Sequence, residues 1–272
     1  MKNKEETPYE KVINYIFKLI ETQEVKIGGR LPPEIQLTKS LNVSRTSVRE
    51  ALQTLKGIGL LESSRGSGYT VKCDAREGLS NVFRVIMAVK EVKHTDISEI
   101  REALETKAAE LAIKRGIKSE DISELNSYVV EMEISAQENP VNAIEFDVKF
   151  HRKIAEMSHN ELLTNVIYSL SSFSANYILV SWEKVTKNEM KELLATHKKI
   201  ISLLKKGDSE QAIKEIINHY RIADRIINNH ISVNNFEDSS KIIMDKLLSD
   251  GFSAEQIYSQ LYDSLSRQNQ ST

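Results

Sequence analysis

NVSRTSVREALQTLKGIGLLESSRGSGYTV, residues 42–71, decides how the first quarter of this chain folds. Val48, Leu52 and Leu55 share one face of a helix that Ser44 is placed to cap, and the spacing predicts that helix from Arg45 to about Lys56. Gly57 and Gly59 break the pattern, and LLESSRGSGYTV then reads as two short strands around a Ser/Gly-rich turn, a β-wing. Working upstream, NVS is a tight connection to a second helix that Pro33 and Glu34 open and that ends near Leu41. KIGGRLPPE separates that helix from a first one, whose face is Val12, Ile13, Ile16, Phe17 and Ile20. Helix, helix, short turn, helix, hairpin is a winged helix-turn-helix.

In that motif the third helix enters the major groove of DNA through its N-terminal residues. Arg45 and Arg49 are one turn apart and suit guanine edges or phosphates, while Ser44, Thr46 and Ser47 are short donors that suit phosphates. Arg65, beside flexible Gly66 at the wing tip, can reach a minor groove. Charge agrees with this assignment. Met1 to Lys72 holds 12 Lys/Arg against 8 Asp/Glu, a net +4, and since the whole chain is −2 the remainder carries −6. A basic head on an acidic body suits a nucleic-acid module joined to a domain with another task.

GGRLPPEIQLTKSLNVSRTSVREALQTLKGIGLLESSRGSGYTV resembles the N-terminal domain of the GntR family of bacterial transcription regulators. LPPE, VSRTSVREAL, LKGIGLL and RGSGYTV carry the match, which runs from about Tyr9 to Val71. The resemblance implies operator contacts by Arg45, Thr46, Ser47, Arg49, Arg65 and Gly66. One position departs: Ile35 follows LPPE where the family usually carries a basic residue, which puts in question the contact made there by relatives and with it the operator sequence.

KCDAREGLS is the linker, and amphipathic helices are predicted beyond it near 76–92, 97–115, 119–137, 140–158, 161–183, 188–206 and 209–231. No strand-period stretch competes, so an antiparallel all-helical bundle follows the winged head, and the chain is mainly α. Polar residues on the apolar stripes carry the chemistry. Asp147 and His151 are i, i+4 neighbours on the stripe Ile144, Asp147, Val148, His151, Ile154. His197 and His219 sit mid-stripe on helices joined by KKGDS, each ~10 residues or about 15 Å from the turn, hence at matching heights. A lone inward histidine is usually a hydrogen-bonded core residue. Three with an aspartate at one depth would cost several kcal/mol if left unpaired, on the order expected for buried polar groups. A divalent cation satisfies all four; zinc suits the set, as do nickel, manganese or iron if water or ligand oxygens complete the shell. His94, His159 and His230 fall at helix ends or loops and read as surface residues. Arg101 reads equally as a stem packed on the stripe and paired with Glu105, or as a clamp for a carboxylate ligand.

EIREALETKAAELA, DVKFHRKIAEMSHN, His197, LLKKGDSEQAI and His219 together resemble the FCD-type effector domain of the FadR subfamily, over about residues 78–230. The resemblance implies metal ligation by Asp147, His151, His197 and His219, and a small organic acid held by the metal and Arg101 in a central cavity. The full ligand set disfavours the subfamily's acyl-CoA-binding branch.

The remaining bounds are simple. With 272 residues and a single cysteine, Cys73, the chain suits one or two domains in a reducing, cytoplasmic setting, with no signal segment and no membrane span. The expected division is a winged helix-turn-helix over 1–75, an effector domain over 76–232 and a helical extension over 233–272, whose second helix SAEQ would cap. The expected function is a homodimeric repressor that binds a short operator palindrome and answers to a carboxylate effector. A metal-dependent enzyme or a pure metal sensor with a DNA-binding head are the alternatives, the enzyme lacking an obvious general acid or base beside the metal.

Overall fold

The computed structural model describes residues 6–64, 68–72, 75–89, 92–138, 140–182 and 185–230. The expected wing-tip contacts Arg65 and Gly66, Cys73 and the C-terminal extension lie outside the described residues. Two compact units divide between Val85 and Ile86.

In the first unit, helix α1 (Pro8–Glu21) starts at a reciprocal cap: Thr7 accepts from the Glu10 backbone N–H, and the Glu10 carboxylate accepts from the Thr7 N–H. It buries Val12, Ile16 and Leu19. Helix α2 (Glu34–Leu41) ends at Asn42, which takes the left-handed conformation (φ 52°) that Asn tolerates better than other side chains. Only Val43 and Ser44 then separate it from α3 (Arg45–Gly57), where the Ser44 hydroxyl accepts from Ser47 N–H at 3.1 Å. Strands β1 (Leu61–Ser64) and β2 (Gly68–Val71) pair antiparallel, with Leu61 opposite Val71 and Ser64 opposite Gly68. Leu37, Val48, Leu52 and Leu55 join Leu61 and Val71 with the α1 residues in one core. The hairpin is thereby fixed to the C-terminal half of α3, where Gln53 also donates to the Tyr69 hydroxyl and Lys56 to that of Ser63.

Helix α4 (Ala75–Val89) crosses the division. Among the described residues, the second unit holds six further helices: α5 (His94–Arg115), α6 (Ser119–Glu138), α7 (Pro140–Met157), α8 (Glu161–Trp182), α9 (Lys187–Lys206) and α10 (Ser209–His230). The hydrophobic periodicity locates each of them to within a few residues. Helix α5 begins three residues before the expected Ile97, because the Asp96 carboxylate accepts from Lys93 N–H at 2.7 Å and caps the turn that contains His94. Ala108, Ala109 and Ala112 are fully buried, which lets α5 lie close against α7, α8 and α10. Phe150, Ile154, Ile167, Ile200, Leu204 and Ile216 fill the space between the helices. Helices α9 and α10 are joined by Gly207 and Asp208. Gly207 is left-handed (φ 71°) and its N–H turns back to the last carbonyls of α9. This two-residue turn sets the register of the histidines on the two helices. No described helix is long and apolar enough to cross a membrane.

Candidate metal centre and DNA-facing helix

The first turn of α3 leaves Arg45, Thr46 and Arg49 exposed and Ser47 half-buried, while Val48 and Leu52 point into the core. The Ser44 hydroxyl pairs with that of Ser47 at 2.9 Å, so both hydroxyls sit at the helix start, where backbone N–H groups already favour an anion. Arg49 Nε donates to Glu34 Oε2 at 3.0 Å and its side chain is 70% exposed. Ile35, the residue that departs from the family pattern, is exposed beside Glu34 on α2.

In the bundle, four helices converge on one point. Helix α7 supplies Asp147 and His151, α9 His197, α10 His219, and α5 Arg101; none is more than 8% exposed. The three imidazoles each present a ring nitrogen within 4.8 Å of the others. His197 and His219 ring centres are 4.5 Å apart, so the matched heights expected from the loop length are realised. Asp147 Oδ1 lies 3.2 Å from His197 Nε2 and 3.7 Å from His151 Nε2.

What faces the other nitrogen of each ring decides the chemistry. His151 Nδ1 lies 2.5 Å from the Glu105 carboxylate, and His197 Nδ1 lies 2.9 Å from the Leu193 carbonyl; both oxygens can only accept. His219 Nδ1 lies 2.8 Å from the Thr196 hydroxyl, which already gives its hydrogen to the Leu193 carbonyl at 2.6 Å. Thr196 must therefore accept from His219. These partners favour a proton on each Nδ1, which leaves each Nε2 as the free donor atom, and those of His151 and His197 face Asp147. His197 Nε2 is buried, with the Asp147 carboxylate oxygen 3.2 Å away but out of line for a good hydrogen bond, an arrangement that a cation between the two would satisfy.

The electrostatics agree. Burial opposes a charge on His151, yet Glu105 and Asp147 on either side raise its pKa to about 9. Burial, then the neighbouring His197 and His151, push His219 well below the usual imidazole range. Burial also opposes ionisation of Asp147, but His151 and His197 hold its carboxyl well below the usual carboxylate range. The donor set draws in positive charge, which a proton on His151 or a divalent ion at all four atoms can supply. The residues present fit a metal.

Arg101 combines both of its expected readings. Its guanidinium donates to Glu105 Oε1 at 3.1 Å and lies 5.4 Å from the Tyr220 ring centre, while its buried Nε has no partner. It also lines a cavity of about 650 Å³, counting the part open to solvent, together with Asp147, His151 and His219. Glu105 is fully buried and accepts from Arg101, His151 and the Tyr220 hydroxyl at once. Against burial, His151 and Arg101 hold its carboxyl below the usual range. A carboxylate so fully engaged cannot also take a proton from a substrate.

The sequence stripe names Glu105 only as a partner for Arg101; its role in fixing the His151 tautomer, like that of Thr196 for His219, depends on side-chain directions that spacing does not give. His94 corrects the sequence reading. It is 8% exposed rather than a surface residue, because α5 starts early enough to carry its ring into the cavity wall. His159 is exposed as expected, and His230 is half-buried with Nε2 3.1 Å from Glu189.

Comparison with known proteins accounts for both units. Residues 8–71 match the gntR family of bacterial regulatory proteins, and residues 96–222 match the FCD domain, a domain that commonly binds metal. The chain is 30% identical over 209 residues to the Uxu operon transcriptional regulator of Escherichia coli strain K12, covering 75% of this chain and 80% of that protein. It is 26% identical over 219 residues to the HTH-type transcriptional regulator LutR of Bacillus subtilis strain 168, covering 79% of this chain and 99% of that one. The fold is similar to that of a solved Streptococcus agalactiae GntR protein, with a TM-score of 0.63 at 24% identity over 80% of this chain and 99% of the other. These matches are to regulators rather than enzymes. With a winged head built for DNA and a helical FCD body, the chain belongs to the GntR family of bacterial transcription regulators.

Proposed function

We propose that this regulator is a homodimeric repressor whose hold on a short palindromic operator is controlled by a small organic acid bound at a divalent metal in the bundle. One observation carries the reading: His151, His197 and His219 converge on the Asp147 carboxylate, and Asp147, His151 and His219 line one cavity with Arg101. Asp147, His151, His197 and His219 would hold the ion, zinc first among the candidates and nickel, manganese or iron after it. When bound, the ion supplies a Lewis-acidic centre for a carboxylate oxygen. Arg101 then grips the same carboxylate through donors that Glu105 leaves free. Arg45, Thr46, Ser47 and Arg49, with Ser44, Arg65 and Gly66, would contact the operator. The acid shifts the heads between competent and incompetent arrangements in proportion to its differential affinity for the two. The domain limits 1–75, 76–232 and 233–272 belong to this reading.

The test is a thermal-shift screen of small carboxylic acids on zinc-loaded full-length protein. A binding acid raises the melting temperature, by about 2.7 kcal/mol of stabilisation at a hundredfold excess over its Kd. The shift is expected to vanish in Arg101→Ala. If no acid shifts the wild type and zinc alone moves it on and off DNA, the metal-sensor reading replaces this one.

Glu105 provides a second check. Glu105→Gln keeps size and an oxygen for Arg101 and Tyr220, but its amide offers N–H toward His151 Nδ1. The ring must then move its proton to Nε2, where it blocks the metal. Zinc affinity is expected to fall about 10–100-fold, as for other residues that orient a ligand histidine. Competition against a chromophoric chelator measures it, and an unchanged affinity would remove Glu105 from the account.

A further inference from the structure

Ile35 is 54% exposed in the first turn of α2. A single apolar side chain in solvent is ordinary on a protein surface. Phe17 on α1, Ile27 in the turn with Gly28 and Ile58 at the end of α3 are others in the same unit. Ile35 differs from them in where it stands. Its neighbour Glu34 reaches α3 and accepts from Arg49 Nε at 3.0 Å, so the first turn of α2 lies beside the exposed residues that open α3. The Pro33 N-cap supplies no side-chain acceptor to the first N–H groups of α2. Such groups suit a phosphate, a contact that brings the start of a helix against nucleic acid.

The charge of that turn narrows what it can read. Glu34 is matched by Arg49, and Gln36, the next exposed residue, is neutral. The first turn of α2 therefore brings no cation of its own to DNA; it brings a branched apolar side chain. Phosphates and the polar atoms of base edges gain nothing from isoleucine. The apolar feature that a base pair presents in the major groove is the thymine 5-methyl group.

We infer that Ile35 packs on a thymine methyl group of the operator, close to the position that Arg49 reaches, and is a specificity-determining residue of the head. The contact removes apolar surface from water on both partners. It discriminates between base pairs without neutralising a phosphate, so the affinity it adds carries no salt dependence. The inference rests on the reading of α3 as the helix that enters the major groove.

The test begins with operators selected from random duplexes by the full-length protein. Each thymine of a selected duplex is then replaced in turn by uracil, which removes only the 5-methyl group. Replacing the thymine under Ile35 is expected to weaken binding about fourfold, the worth of one buried carbon. Ile35→Ala should erase the thymine–uracil difference at that position, with the melting temperature and the salt slope of the wild type. Ile35→Lys should erase it too, and should steepen the fall of log K with log salt by about one unit per half-site, because a cation there reaches a phosphate. A wild type indifferent to uracil at every position overturns the inference. So does a set of methyl effects that all survive in Ile35→Ala, since they then belong to other residues. Either result leaves the reading of α3 standing as long as Arg49→Ala weakens binding to the same duplex. Failure of the full-length protein to select any sequence sinks both.

Discussion

Zinc is expected to leave the protein entirely when His197 and His219 are both changed to alanine. The two residues supply half of the donor set and the only donors from α9 and α10. What remains is Asp147 and His151, one turn apart on α7, a bidentate edge that closes no tetrahedron. Wild-type protein should take one zinc per chain and gain stability from it, about 4 kcal/mol at a thousandfold excess over Kd. The double variant should bind none and show no melting shift with zinc. His159→Ala is the control, because His159 is exposed and does not belong to the group of converging ligand atoms, so it should keep full occupancy. Some loss of intrinsic stability accompanies the double change, since the His197 ring packs edge-on against the buried Phe150, 4.6 Å between centres. That loss is read in the zinc-free melt and is separable from the loss of the zinc-dependent shift. Full zinc occupancy in the double variant would refute the site.

How far this site could be read from sequence follows from what each part depends on. The convergence of Asp147, His151, His197 and His219 depends on helix register, and register is written in the spacing of apolar residues and in a loop short enough to count across. The head was legible for the same reason: Ser44, the α3 stripe and the glycines of the hairpin are local signals. The outward partners of the histidines were not legible. The Leu193 carbonyl is simply a helix carbonyl four residues before His197, and Thr196 accepts from His219 only because its own hydrogen is spent on that carbonyl. Glu105 illustrates the limit best. Its place four residues after Arg101 suggests one ion pair, and only the packing of α5 against α7 and α10 makes it an acceptor for three donors. His94 was misread because it precedes the first apolar repeat of α5, and a cap from Asp96, not hydrophobic periodicity, draws it into the helix.

Arg49→Ala should weaken operator binding by about 1–3 kcal/mol if the guanidinium reads a base edge, or flatten the dependence of log K on log salt by about one unit if it holds a phosphate. Operator sites can be taken from selection on random duplexes. Arg49 is exposed on the first turns of α3, and its only ion pair described is with Glu34 on α2. That pair does two things. It fixes the guanidinium's direction before DNA arrives, leaving its two terminal nitrogens for a bidentate contact, since Nε alone is spent on Glu34. It also contributes little to folding, because an ion pair this open to water is screened. The variant should therefore melt with the wild type while losing DNA affinity, a combination that a purely structural role for Arg49 does not produce. Glu34→Gln separates orientation from contact: it keeps an acceptor for Nε but removes the charge, so it should cost less than Arg49→Ala and leave the salt slope nearly unchanged. Operator affinity and salt slope both unaltered in Arg49→Ala would remove this arginine from the DNA interface and shift the reading helix's contacts onto Arg45, Thr46 and Ser47.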